Sequence, residues 1–194
     1  MTGVLLTAPA AGSILTGDTA LGSVEGVGVT GPTAHPATAL RTSRPTEPGA
    51  PSRIVIGAID VAADVEQLGL AADGTLALPT DPAKVGWYTG SSRPADSGPA
   101  VMVGHLDSGD AAAVFARIYK LEVGDDVTVQ TQGGSTLTYS VTGVSWYAKA
   151  SFPSEAVYGR TSDPQLRLIT CGGRYDPDSG YSDNVVVFAT EATP

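Results

Sequence analysis

A thiol is a strong nucleophile only as the thiolate, and an imidazole beside it can take up and return its proton. The chain holds one cysteine, Cys171, and two histidines, His35 and His105. Cys171 closes the apolar run Gln165 to Cys171 (QLRLITC) and is followed by Gly172 and Gly173. His105 closes a second apolar run, Pro99 to His105 (PAVMVGH), with Gly104 before it and Leu106, Asp107 and Ser108 after it. Glycine at such points lets backbone or substrate approach closely. Taken singly, each residue has an ordinary reading: a buried thiol, and a satisfied, half-exposed imidazole. As a pair, each at the end of an apolar strand with glycine beside it, they are what nucleophilic thiol chemistry needs.

The elements that must position this pair are strands. Arg53 to Ile59 (RIVIGAI) is β-branched, a short strand is expected near Val61 to Val65, and the turn signal Ala72-Asp73-Gly74 precedes another at Thr75 to Leu78. Asp125 to Thr131 and Ser135 to Tyr147 read as a hairpin across Gly133-Gly134. With Pro99 to His105, Gln165 to Cys171 and Asn184 to Thr190, about eight strands result. The fold class expected is all-β, a closed eight-stranded barrel, because closure removes exposed strand edges. Two brief helical turns are expected, at Ala111 to Tyr119 and near Ser154 to Tyr158.

Residues 1–52 are rich in Ala, Gly, Thr and Pro without sustained periodicity and read as a flexible tail or linker, so the folded domain is expected at 53–194. His35 falls in the tail and reads as a solvated residue. No cationic start and long apolar run marks a secretory signal or anchor, the first cation being Arg41. A net charge of −9 with 11 Lys and Arg argues against a nucleic-acid partner, which requires clustered cations. A lone cysteine excludes an internal disulfide and a multi-cysteine zinc site. With one histidine in the domain, a catalytic metal lacks ligands, and no cofactor is expected.

The segments Val85 to Ser108 (VGWYTGSSRPADSGPAVMVGHLDS), Ser154 to Gly159 (SEAVYG), Leu166 to Asp176 (LRLITCGGRYD) and Tyr181 to Thr190 (YSDNVVVFAT) resemble the sortases, class F most of all, over residues 53 to 190. Gly-His-x-Asp and Thr-Cys-Gly-Gly, in that order, are specific together and weak apart. The resemblance implies a sortase β-barrel and transpeptidation of a Leu-Pro-x-Thr-Gly-like sorting signal on the outer face of the membrane of a Gram-positive actinobacterium. It implies that the Cys171 thiolate attacks the Thr carbonyl, that His105 as imidazolium protonates the leaving Gly amine, and that a thioester forms. An amine such as a peptidoglycan precursor, or water, then releases the enzyme, which is expected to act as a monomer.

Sortases also use an arginine to hold the substrate carbonyl or its oxyanion, a task for a fixed donor fork. The place where better-known classes carry it falls on or near Asn184, a departure from the pattern. Arg167 is the first candidate, since its parity in QLRLITC puts it on the face of Cys171, about 13 Å along the strand. Arg174, in the segment after the nucleophile, is the second. Asp107 either orients the imidazole or caps the following turn. Trp87 and Tyr88 read as core and barrel-closing aromatics, and Asp176, Asp178 and Asp183 as turn residues, not a calcium site.

Two further readings stand beside the transpeptidase: a thiol hydrolase on the same barrel, and a noncatalytic binding module with Cys171 merely buried. A papain-like arrangement is disfavoured, because there the cysteine comes first and lies on a helix.

Overall fold

The structure, a computed structural model, describes residues 49–109 and 111–192. The tail expected at 1–52 falls almost wholly outside them, as does His35.

Among the described residues ten strands run in chain order: β1 Pro51–Ile56, β2 Val61–Leu68, β3 Val85–Tyr88, β4 Gly98–Val103, β5 Asp107–Ser108, β6 Ala111–Ala112, β7 Asp126–Thr131, β8 Thr136–Ala148, β9 Pro164–Asp176 and β10 Gly180–Glu191. Eight of them close a barrel in the order β1-β2-β3-β4-β9-β10-β8-β7, with β7 pairing back onto β1. The expected closed all-β barrel is what forms. Pairing is antiparallel except for β2 with β3 and β4 with β9.

Strict alternation builds the core. Ile54 and Ile56, Val61 and Ala63, Val85 and Trp87, Ala100 and Met102, Val127 and Val129, Tyr139 and Val141, Leu166 and Leu168, and Val185, Val187 and Ala189 belong to one buried cluster, with at least two residues from each barrel strand. The intervening residues of β4, β9 and β10, namely Val101, Val103, Ile169 and Val186, join a second buried cluster with Leu76 and Val157. These three strands are therefore apolar on both faces, as expected where a parallel pair is covered. The cover comes from the segment between β2 and β3 and from α1 (Ser154–Tyr158), a helix found where it was expected.

Two expectations change. Thr75 to Leu78 is not a barrel strand: it carries one isolated bridge, Leu70 to Leu76, and Leu76 is spent in the outer cluster. The place in the barrel is taken by β3, where Val85 and Trp87 face the core and Trp87 Nε1 donates to Ser92 O at 3.1 Å. Ala111 to Tyr119 does not form a helix. Its start pairs as β6 against β5, and only Ile118–Lys120 makes a 3-10 turn. Phe115 and Ile118 are both buried in the core, and Phe115 N donates to His105 O at 2.9 Å, so tertiary contacts override the alanine-rich local preference.

Candidate active site

The parallel pairing of β4 with β9 sets Val103 beside Ile169, each two residues before one of the two chemical residues. Beyond Val103 the ladder is finished by two bonds: Gly104 N donates to Ile169 O at 3.1 Å, and the buried Thr170 Oγ1 donates to Gly104 O at 2.8 Å. His105, two residues past the end of β4, and Cys171, within β9, therefore follow this junction at matching positions in the two chains. Gly104 is needed here for space, because a Cβ on it would lie 2.6 Å from the Phe115 ring.

Cys171 does not end its strand, as the sequence reading held. β9 continues to Asp176 and pairs with β10 across a bulge in which Gly173 and Arg174 oppose Ser182. Gly173 takes φ +79°, the left-handed conformation a bulge of this kind requires. Arg174 stands exposed on the bulge, and Asp176 is spent as a turn residue, its carboxylate accepting from Asp178 N and Ser179 N, each at 3.0 Å.

Cys171 is a free, partly buried thiol. Its pKa lies above the ordinary thiol value: burial pushes it up, the nearby Lys149 ammonium pulls it part of the way back, and the Asp107 carboxylate pushes it up again. Lys149 Nζ lies 3.9 Å from Cys171 Sγ. His105 Nε2 lies 2.7 Å from Pro79 O, and since a carbonyl only accepts, that nitrogen carries a proton and leaves Nδ1 as the base of the neutral ring. Asp107 accepts a hydrogen bond from Tyr181 Oη, so the segment after His105 is tied to β10 and not to the imidazole. That bond is the chief reason the Tyr181 phenol is pushed up to about 12.

Arg167 shares the Cys171 face, as parity requires, but four residues earlier along β9. Its guanidinium is buried, hydrogen-bonded to Gln165 Oε1 and to Leu166 O, and stacked 4.6 Å from the centre of the Phe188 ring. Burial lowers its pKa to about 10, so it stays charged at neutral pH. Directly across from Cys171 on β10 stands Asn184, fully buried. Among the described residues neither its Nδ2 nor its Oδ1 has a hydrogen-bond partner. Lys149 is the residue that sequence reasoning missed. Only the register of β8 against β10, which pairs Ala148 with Asp183 and Tyr147 with Asn184, brings it to the thiol.

Among the described residues no helix is long and apolar enough to cross a membrane. No group of three or more His, Cys, Asp or Glu side chains among them is arranged to hold a metal ion.

Known structures share this backbone. Sortase A from Corynebacterium diphtheriae matches with a TM-score of 0.57 at 21% identity, over 76% of this chain and 63% of that one. Sortase C-1 from Actinomyces oris matches with 0.56 at 22%, over 74% of each chain. Sortase C1 of Streptococcus agalactiae matches with 0.59 at 20%, over 74% of this chain and 67% of the other. No curated protein sequence matches the chain. The sortase domain family model matches residues 54–192, from the first barrel strand through the last, and so takes in the β4–β9 junction together with His105 and Cys171. The chain belongs to the sortase domain family, whose members are cysteine transpeptidases.

Proposed function

We propose that residues 53–194 form a catalytic domain of the class F type, which cleaves a Leu-Pro-x-Thr-Gly-like sorting signal between Thr and Gly and passes the acyl group to an amine at the cell surface. The observation that supports this reading is the β4–β9 junction, where the pairing of Val103 with Ile169 and the Thr170 to Gly104 bond bring the two strands together just before His105 and Cys171. In the reaction, the Cys171 proton passes to the imidazole and the thiolate attacks the Thr carbonyl carbon. The tetrahedral adduct collapses as the C–N bond breaks and His105 returns the proton to the departing Gly amine. A thioester remains. An incoming amine then attacks the same carbon, gives up a proton to His105, and Cys171 leaves as thiolate.

Arg167 enters this scheme as a substrate-positioning residue. It lies about 13 Å along the strand from the nucleophile, roughly the span of four extended residues, and a peptide lying along β9 from Cys171 reaches that far. The class F identity, the surface location and the Gram-positive actinobacterial setting rest on the motif resemblance. Incubation with a library of Leu-Pro-x-Thr-Gly peptides, followed by mass spectrometry of the intact protein, tests the scheme. An acyl adduct on Cys171 is expected, discharged faster when an amine is added. Peptides left intact, with no adduct at any sequence in the library, refute it.

A further inference from the structure

We infer that Lys149 is a catalytic residue of this site, its ammonium being the counter-charge that stabilises the Cys171 thiolate as it forms. The inference rests on Cys171 being the nucleophile. Three adjacent strands fix the geometry: β9 pairs Cys171 with Asn184, and β10 pairs Asn184 with Tyr147 on β8. β8 thus ends level with the thiol, and Lys149 opens the 3-10 turn that follows it. Its Nζ reaches to 3.9 Å from the sulfur.

The thiolate has few other sources of positive charge. Arg167 is engaged with Gln165, Leu166 and Phe188, Arg174 is exposed on the bulge, and the residue directly across from the nucleophile is the neutral Asn184. The His105 imidazole, also at this junction, has Nε2 on Pro79 O. The other ionisable groups nearby oppose a negative sulfur. Asp107 on β5 raises the thiol pKa, and Tyr181 on β10 is hydrogen-bonded to Asp107. Burial acts in the same direction. An opposite charge within about 4–6 Å moves a pKa by roughly 1–3 units, so the ammonium offsets part of that opposition, although burial still leaves the thiol pKa raised. The ammonium keeps its own protons throughout. Its effect is on the sulfur's charge.

The test is the pH profile of Cys171 alkylation by iodoacetamide in the folded protein, for wild type, Lys149→Met, Lys149→Gln and Lys149→Arg, with folding checked by circular dichroism. The expected result is a midpoint raised by about one unit or more in the Met and Gln variants, hence about tenfold slower alkylation near pH 7, and returned toward wild type by Arg. Where the Met variant loses its fold, the Gln variant carries the comparison. A lysine serving only the fold moves the melting temperature and leaves the midpoint alone. An unchanged midpoint in the neutral variants, or one moved equally by Arg, overturns the assignment. If wild type leaves every sorting-signal peptide intact while the midpoint still moves, the substrate reading falls and the role of Lys149 stands.

Discussion

Replacing Thr170 with Val removes one hydroxyl and, with it, the bond that fastens the end of β4 to β9. The Oγ1 to Gly104 O distance is 2.8 Å, Thr170 is fully buried and so is Gly104. Valine has nearly the same shape but leaves the Gly104 carbonyl without that donor. An unsatisfied buried acceptor costs about 1–3 kcal/mol, of which the added methyl returns part, so a net loss of about 1.5 kcal/mol is expected. For a domain of this size that is a fall in melting temperature of about 4–6 °C. The same free energy limits how far the tied arrangement of His105 is favoured over looser ones, so the acylation rate should fall by no more than about tenfold. Thermal unfolding and single-turnover thioester formation measure the two effects. Thr142→Val is the control, because Thr142 Oγ1 also donates to a carbonyl, Phe188 O at 3.2 Å, but at an exposed site where the change should stay within about 0.5 kcal/mol. If Thr170→Val melts within about 1 °C of wild type and acylates like the control, the junction does not position the site as argued.

The remaining predictions concern the groups themselves. Cys171→Ala should abolish turnover while the melting temperature holds, and His105→Ala should do nearly the same, both read from thioester formation and circular dichroism. Arg167→Ala should slow acylation without removing it and should also destabilise the fold by about 1–3 kcal/mol, because a buried guanidinium packed on Phe188 is lost; a rate unaffected at saturating peptide and at low peptide alike would count against its positioning role. Stability should fall as pH rises from about 10 toward 12, since burial pushes Tyr139 up to about 12 and pushes Tyr158 up as well. The sign follows from proton counts: the unfolded chain releases these protons first, so the stabilisation is complete below about pH 10 and is lost through the folded-state pKa. Tyr139→Phe should flatten that decline in a series of melts at rising pH.

The barrel was legible because its strands obey one rule. Val127 and Val129, or Val185 and Val187, alternate with residues of the other face, and the turns between carry Gly and Pro. The errors arose where length or composition misled. β3 spans only four residues, Val85 to Tyr88, and includes Gly86, whereas Thr75 to Leu78 follows a strong turn signal yet spends its leucines on the outer cluster. Ala111 to Tyr119 is alanine-rich, but Phe115 and Ile118 had to reach the core from beside His105. In the site, Cys171 and His105 stood out because glycine beside an apolar strand is a local signal. Lys149 did not, since its place beside the sulfur depends on the cross-strand register of three strands, and no local pattern encodes a register. Asn184 was legible by position along the chain, but its having no bonded partner was not.

The Thr170 to Gly104 bond spans 66 residues of chain. Contacts between segments so distant are slow to form, since the intervening polypeptide must first surrender its freedom. Chemical competence therefore comes late in maturation: a nascent or half-collapsed molecule has its sulfur and its imidazole, but not yet in one place. The thiol's reactivity can thus serve as a clock for the completion of folding.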